Sequence, residues 1–278
     1  MNVDLHLHSF VSDGTLDPAT LLGHAAAVGI EQLSIADHDS LGAYGWEAGR
    51  VFDEARRLGL TLVVGLELDA DLDGVEVHLL GYGVRLDENP LAAHLARVGA
   101  LRRERARREI EIVNRLLGKE TVREAEILVP WRQTLMKPHF IHPLLDKGLF
   151  PSYKAANAWY KANVRSGIEV GKPELGQAIE LVHAAGGWAV LAHPGYYAQE
   201  GIAIVPRLAD LRGLGLDGVE TDYPYHACSP DKFSLEAERA LVAELRAAAF
   251  ALGLRTTRGS DCHTPEDFVR VYGPGTAD

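Results

Sequence analysis

Cysteine is nearly absent from this chain: Cys228 and Cys262 are the only two among 278 residues, so no disulfide framework is indicated. No apolar run is long enough to span a bilayer, and the chain opens directly on a strand-like segment with neither a basic n-region nor an apolar h-region. A cytoplasmic protein with no membrane attachment is expected. Positive charge is also in deficit. Lys and Arg number 28 against 39 Asp and Glu, a formal net charge of -11, which argues against a long nucleic acid as partner. A small anion stays open as a ligand wherever bound metal cations set the local charge. No Gly-rich phosphate-binding fingerprint follows the first strand, which counts against a dinucleotide-binding fold. Internal repeats and low-complexity tracts are missing as well.

What is present alternates between strand and helix. Residues 2–8, 32–36, 61–68, 75–82, 188–192, 218–221 and 254–258 read as strands. Helices are expected from Pro18, with Asp17 as N-cap, to about Val28, and over 44–58, 174–185, 204–214 and 231–252. Asp73-Gly74 is a turn signal that makes a hairpin of the third and fourth strands. Between 88 and 168 the strand signal disappears, and a long Arg-rich helix over 91–117 is followed by short helical pieces. This rhythm predicts an α/β fold in which a sheet is wrapped by helices, and at this length a barrel before an open sheet. Residues 1–87 and 169–278 would form the barrel, with 88–168 an insertion capping its active site.

Twelve histidines are the informative excess. In Asp4-Leu5-His6-Leu7-His8 the two imidazoles lie two residues apart on a strand, hence on one side of it, while Val3, Leu5 and Leu7 point the other way. Asp13 follows in the next loop. His38 ends the second strand and Glu67 the third. His78 lies on the return strand of the hairpin, His193 after Val190-Leu191-Ala192, and Asp261 and His263 after the last strand. Strand C-termini of a barrel meet at one face, so these nine side chains converge. Nine ligands exceed what one zinc takes, and suit two or three ions with bridging carboxylates. Nitrogen and oxygen donors without thiolate point to zinc, manganese or iron. Metals about 3.5–4 Å apart can clamp the attacking and leaving oxygens of a phosphoryl transfer, one of them supplying a hydroxide, so that no side-chain nucleophile is needed. Asp37 and Asp39 read as partners of the ligands or as loop caps. His24, His94 and His183 lie in helices and read as structural. Cys262, alternating with two ligands, reads as packing.

These motifs resemble the polymerase and histidinol phosphatase (PHP) superfamily: His6-Leu7-His8, Ser12-Asp13-Gly14, Ala36-Asp37-His38-Asp39, Gly65-Leu66-Glu67, Val77-His78, Ala192-His193-Pro194 and Gly259-Ser260-Asp261-Cys262-His263. The resemblance runs the length of the chain, in order. It implies a distorted seven-stranded (β/α) TIM-like barrel holding a trinuclear site of manganese, iron or zinc, with all nine metal positions intact. Within the superfamily the chain looks most like small bacterial phosphoesterases that remove the 3′-phosphate of 3′,5′-bisphosphonucleotides or trim short RNA from its 5′ end. The position of the insert supports that branch, as does Lys137-Pro138-His139-Phe140, where the branch usually has Arg-Thr-His-Phe. Lys137 thus offers a point charge in place of a fork.

Arg102, Arg105 and Arg108 recur every three residues and share a helix face. Such a face over an acidic metal mouth could grip a second phosphate bidentately. The other reading is a solvated face paired with Glu104, Glu109 and Glu111. Arg102, Arg105, Lys137, His139 and His226 are accordingly the candidate phosphate contacts. His139 rests mainly on the resemblance, and His226 reads equally as a loop residue. The expected activity is hydrolysis of phosphomonoesters of small nucleotides. The alternatives are a 5′-3′ exonuclease on short oligonucleotides, a histidinol-phosphate-type phosphatase (disfavoured because the Arg-rich insert would repel a cationic substrate) and a metal-stabilised regulatory domain.

Overall fold

Capping chemistry starts the helical layer. The Asp17 carboxylate accepts the main-chain N–H groups of Ala19 and Thr20, both at 3.0 Å, and Pro18 opens the helix Pro18–Ala27. Ser234 does the same for Leu235–Leu252 by accepting from the Ala237 N–H. The expected single helix over 44–58 is interrupted. Glu47 and Ala48 adopt left-handed backbone angles (φ 45° and 58°), and a regular helix resumes only at Arg50–Leu58. Gly45 and Gly49 flank the break and weaken helix on both sides of it.

The computed structural model describes residues 2–118 and 120–273. Seven strands pair in chain order: β1 (Val3–Leu7), β2 (Gln32–Ile35), β3 (Thr61–Leu72), β4 (Val75–Tyr82), β5 (Trp188–Leu191), β6 (Gly218–Asp222) and β7 (Arg255–Arg258). Neighbours are parallel except β4, which runs antiparallel to both β3 and β5. The sheet nearly closes. Beyond the ends of β1 and β7, the His8 N–H donates to the Cys262 carbonyl at 3.0 Å, and the Asp261 N–H to the His6 carbonyl at 2.8 Å. The result is a distorted barrel, with Leu5, Ala36, Leu80, Tyr82, Val190 and Ala192 filling its interior. Burial of Leu5, Leu80 and Val190 is worth about 1.5–3 kcal/mol each. Outside, one helical layer packs on Leu66, Leu68, Leu79 and Val219, another on Leu7, Leu33 and Ile35. Cys262 is buried in the latter layer, as packing.

Two strand expectations need correction. Val3, Leu5 and Leu7 do not share a side: Val3 and Leu5 pack with Tyr82, whereas Leu7 packs with Leu21, Leu22 and Ile35. The β1–β2 register shifts between Asp4 and Leu7, and the His6 N–H bonds the Asp4 carboxylate at 3.1 Å, so strict alternation is broken there. Nor does β3 end near Glu67. It continues to Leu72, because Leu68 through Leu72 pair with β4 down to Val75. Glu67 still lies level with the ends of the other strands: Asp39 N–H bonds the Glu67 carbonyl at 2.7 Å, and the Glu67 N–H bonds the Asp37 carbonyl at 3.2 Å. The hairpin overshoots the barrel rim.

Residues between β4 and β5 form the long helix Pro90–Leu117, then Glu124–Ile127, Pro138–Asp146 and Tyr153–Asn163, gathered around Ile110, Val113, Phe140, Leu144 and Tyr160. The segment joining them crosses the barrel mouth. Gln133 and Thr134 donate main-chain N–H groups to the Val11 carbonyl (2.9 and 3.1 Å), the Thr134 hydroxyl bonds the His38 carbonyl, and the Ser40 hydroxyl donates to the Gln133 side chain at 2.9 Å.

Candidate metal centre

At the mouth, three sets of potential ligands interlock: His8, Asp13, His38 and His263; His6, His8, Glu67 and Asp261; and His38, Glu67 and His78. In each set the donor atoms lie within 4.8 Å of one another. His193 joins through its Nε2, which is 3.1 Å from Glu67 Oε1 and 3.2 Å from His78 Nδ1. All nine side chains singled out from the sequence are therefore brought together. Glu67 is central: its Oε2 lies 3.1 Å from His6 Nε2 and 3.3 Å from the Nε2 atoms of His8 and His38. Asp261 Oδ1 is 3.0 Å from His8 Nε2, and Asp13 Oδ1 is 3.3 Å from His263 Nε2.

These atoms converge without pairing. His6 Nε2, His8 Nε2, Asp13 Oδ1 and Glu67 Oε2 are buried and have no aligned hydrogen-bond partner. Unsatisfied buried polar atoms are costly, and four of them spread over the interlocking donor sets fit divalent cations that take lone pairs from nitrogen and oxygen. Without cations the cluster holds protons. Burial opposes charge on His38 and His78, but Glu67 and its acidic neighbours prevail and raise both to about 9. Against the same burial, Asp13 and Asp261 raise His263 to about 10. Burial would raise Glu67 and Asp13, yet the surrounding imidazoles hold both well below the carboxylate range. Cations entering the cluster would displace those protons.

A second ring of groups fixes the first. Glu220, fully buried, lies 3.1 Å from His6 Nδ1 and accepts the His193 N–H at 2.8 Å. Asp69 lies 3.2 Å from His38 Nδ1. The Tyr223 hydroxyl donates to Asp261 at 3.0 Å, and the Tyr197 hydroxyl accepts the His78 N–H at 2.8 Å. The contacts to His6 Nδ1, His38 Nδ1 and Asp261 Oδ2 occupy a ligand's outer atom and leave the inner one for a metal, while those to the His78 and His193 main-chain N–H groups fix the backbone that carries the imidazole. Asp39, His193 and Asp261 hold left-handed backbone angles (φ 44°, 24° and 57°), a strain that clusters at functional sites.

A domain model described as PHP domain matches residues 4–129. The chain is 31% identical to the phosphoribosyl 1,2-cyclic phosphate 1,2-diphosphodiesterase of Eggerthella lenta over 268 residues, covering 94% of this chain and 93% of that protein. It is 29% identical to the 3′,5′-nucleoside bisphosphate phosphatase of Chromobacterium violaceum, over 98% of this chain and 90% of that one. The crystal structure of a protein classed as a metal-dependent phosphoesterase, from Bifidobacterium adolescentis, superposes with a TM-score of 0.76 at 25% identity, covering 95% of this chain and 88% of that one.

The chain belongs to the PHP domain family. It is a metal-dependent hydrolase of phosphoesters. Among its described residues no helix is long and apolar enough to cross a membrane.

The remaining sequence candidates of this PHP chain are placed as follows. Asp37 accepts from the Ser9 N–H (2.8 Å) and from the hydroxyls of Ser9 and Ser12 (both 2.6 Å), bracing the loop that carries Asp13. Asp39 pairs with Arg102. Arg105 donates from Nε to Glu109 Oε1 at 2.8 Å. With Lys137 it lines a cavity of about 310 Å³ that also touches Asp13 and Asp69. His139 accepts the Met136 N–H on Nδ1 at 2.9 Å, which locks it into its own helix start. His226 is not brought to the centre: its Nδ1 lies 2.8 Å from the Phe233 carbonyl and its N–H donates to Glu238 at 2.6 Å.

Sequence reading missed Glu220, Asp69, Tyr197, Tyr223, Lys161 and Lys172. Asp69 carried a signal, since it follows Glu67 by two residues on one strand and so shares its face. Glu220 carried one too, a carboxylate in the middle of a short strand whose first four positions are buried.

Proposed function

We propose that the chain hydrolyses phosphomonoesters of small nucleotides, of the type that removes the 3′-phosphate from a 3′,5′-bisphosphonucleotide. Two or three divalent ions (manganese, iron or zinc) would be held by His6, His8, Asp13, His38, Glu67, His78, His193, Asp261 and His263. Residues 88–168 form the cap over that site. When bound, such ions lower the pKa of a water and neutralise phosphoryl oxygens.

The chain's own residues supply the rest. Glu67 and Asp261 each approach several imidazoles and would hold the ions together with them. Glu220 and Asp69 hold His6 and His38 in the tautomer that frees Nε2. The insert covers the mouth and restricts water around the reacting phosphate.

The observation that carries the nucleotide reading is the cavity of about 310 Å³ running from Asp13 and Asp69 to Arg105, Lys137, Lys161 and Lys172. Loss of surrounding water, with repulsion from Lys161 and Arg105, holds the Lys137 ammonium below its ordinary pKa. Among the described residues neither Lys137 nor Lys161 has an ion pair. Cations crowded together beside an acidic metal centre are arranged for an anion in addition to the scissile phosphate. The same cations disfavour a positively charged substrate such as histidinol phosphate. The relative from Chromobacterium violaceum, named for nucleoside bisphosphates, supports this reading.

A second reading, trimming of short oligonucleotides, is favoured by one feature. Arg105, Lys137, Lys161 and Lys172 also border an adjoining cavity of about 970 Å³ that adds Arg165. A phosphate-release screen with Mn²⁺ separates the two. It would compare 3′,5′-bisphosphonucleotides, 5′-mononucleotides, histidinol phosphate and 5′-phosphorylated short RNA. The bisphosphonucleotide is expected to give the highest kcat/KM. A higher value on short RNA selects the second reading, and no turnover of any nucleotide overturns both.

A further inference from the structure

Arg102 reaches the barrel rim from the middle of the Pro90–Leu117 helix of the insert. The side chain is 8% exposed, a depth at which arginine occurs only when its charge is met. Here it is met twice: Nη2 donates to Asp39 Oδ2 and to Asp69 Oδ2, the latter at 2.7 Å. The two acceptors are themselves joined, since the Asp69 N–H donates to Asp39 Oδ1 at 3.2 Å. Nε is buried without an acceptor and so is closed to a substrate. Arg102 also borders the cavity of about 310 Å³, but with Nη2 taken by two carboxylates and Nε buried it has only Nη1 left to turn there, which is no bidentate fork for a phosphate.

Asp69 carries the arrangement onward. One of its oxygens takes Arg102, and the other, Oδ1, lies 3.2 Å from His38 Nδ1. His38 is thereby turned so that Nε2 lies 3.3 Å from Glu67 Oε2, inside the cluster. Without the arginine, Asp39 and Asp69 would be two adjacent buried carboxylates repelling one another, and Asp69 would keep its contact with His38 against that repulsion and without its second anchor.

We propose that Arg102 is a positioning residue: it holds Asp69 against His38 Nδ1, fixes His38 as a metal ligand, and so couples docking of the insert to metal binding. The inference rests on the ligand set proposed above. It reassigns Arg102 from the phosphate contacts, leaving Arg105 and the lysines for that role.

The test uses metal-stripped full-length protein titrated with Mn²⁺ by calorimetry, for wild type, His8→Ala, Arg102→Gln, Asp69→Asn and the Arg102→Gln/Asp69→Asn double variant. Circular dichroism verifies that each is folded. kcat and KM are then measured on a 3′,5′-bisphosphonucleotide and on p-nitrophenyl phosphate, at low and high Mn²⁺. Arg102→Gln and Asp69→Asn are each expected to weaken Mn²⁺ binding about 10–100-fold, the usual effect of losing a ligand's outer partner. The double variant should be no weaker than the worse single, because the two act along one path. Both substrates should lose kcat together at low Mn²⁺ and regain it at high Mn²⁺. Wild-type Mn²⁺ affinity in Arg102→Gln, with KM raised for the bisphosphonucleotide alone, would make Arg102 a phosphate contact and overturn the proposal. Should Arg102→Gln not fold, Asp69→Asn decides: folded protein with wild-type affinity overturns the coupling. Wild type that takes up no Mn²⁺, or His8→Ala that takes it up equally well, removes the centre itself and this inference with it, a failure distinct from the others.

Discussion

Glu220 and His6 sit 214 residues apart in the chain and face each other at 3.1 Å, Oε1 to Nδ1, both fully buried. The carboxylate accepts from Nδ1, which would leave the Nε2 lone pair to a metal, and its second oxygen secures the strained main chain of His193. Glu220→Gln keeps the size but offers an amide N–H that suits the wrong tautomer. Mn²⁺ affinity should fall about 10–100-fold, measured by titration of the metal-stripped protein. Unchanged affinity would leave Glu220 a packing residue.

Metal should stabilise the fold strongly. Only the folded chain assembles ligands as distant in sequence as His6 and His263, so cations bind the native state in preference to the unfolded one. At a free concentration of 100 times Kd, one site adds about 2.7 kcal/mol. Thermal unfolding with and without chelator should show a clear rise in Tm on adding Mn²⁺, and His8→Ala should lose most of that rise.

Gly259 has no room for a methyl group. A Cβ there would fall under 3.0 Å from both His6 Cβ and Glu220 Oε1. Gly259→Ala must push apart the pair that orients His6, at a cost of about 1–3 kcal/mol in overpacking. Activity at limiting Mn²⁺ should drop at least about tenfold by the same route as Glu220→Gln. Wild-type kinetics in this variant would show that the His6 position tolerates displacement.

His139 makes the insert sensitive to acid. Burial first, then the charge of Arg132, depresses its pKa to about 4, against about 6.5 in an unfolded chain. The unfolded state therefore binds the proton more readily between these values. Stability is complete above pH of about 6.5 and is lost as pH falls toward 4, by at most about 3 kcal/mol. Urea unfolding in chelator at pH 7 and pH 4.5 should show a larger loss for wild type than for His139→Gln. Equal losses would place the acid sensitivity elsewhere.

The lysines should act on binding, not on chemistry. Lys137→Ala or Lys161→Ala removes one charge from the cavity proposed for a second phosphate, worth about 1.5–3 kcal/mol for a charged hydrogen bond. KM for a 3′,5′-bisphosphonucleotide should rise at least about tenfold, with little change on p-nitrophenyl phosphate, which has no second anion to lose. Parallel loss on both substrates would contradict the assignment.

By itself the sequence determined the strand and helix rhythm, the hairpin turn at Asp73-Gly74 and the nine side chains proposed as donors. Those features are local: a period of two, a cap, a turn, and imidazoles and carboxylates at the ends of apolar runs. Only the tertiary structure decided the rest. It put a register shift into β1 that parts Leu5 from Leu7, carried β3 past Glu67, and gave Glu220 and Asp69 their imidazoles. It turned Arg102 to two buried carboxylates at the barrel rim and Arg105 to Glu109 of its own helix, although both arginines lie on one helix and border one cavity. It also brought Lys161 and Lys172, from separate segments, beside Lys137. The reason is physical. Backbone periodicity tells which face a residue occupies, but a charged side chain's partner is chosen by whichever opposite charge folding places within a few ångströms, and here that partner comes from a distant part of the chain.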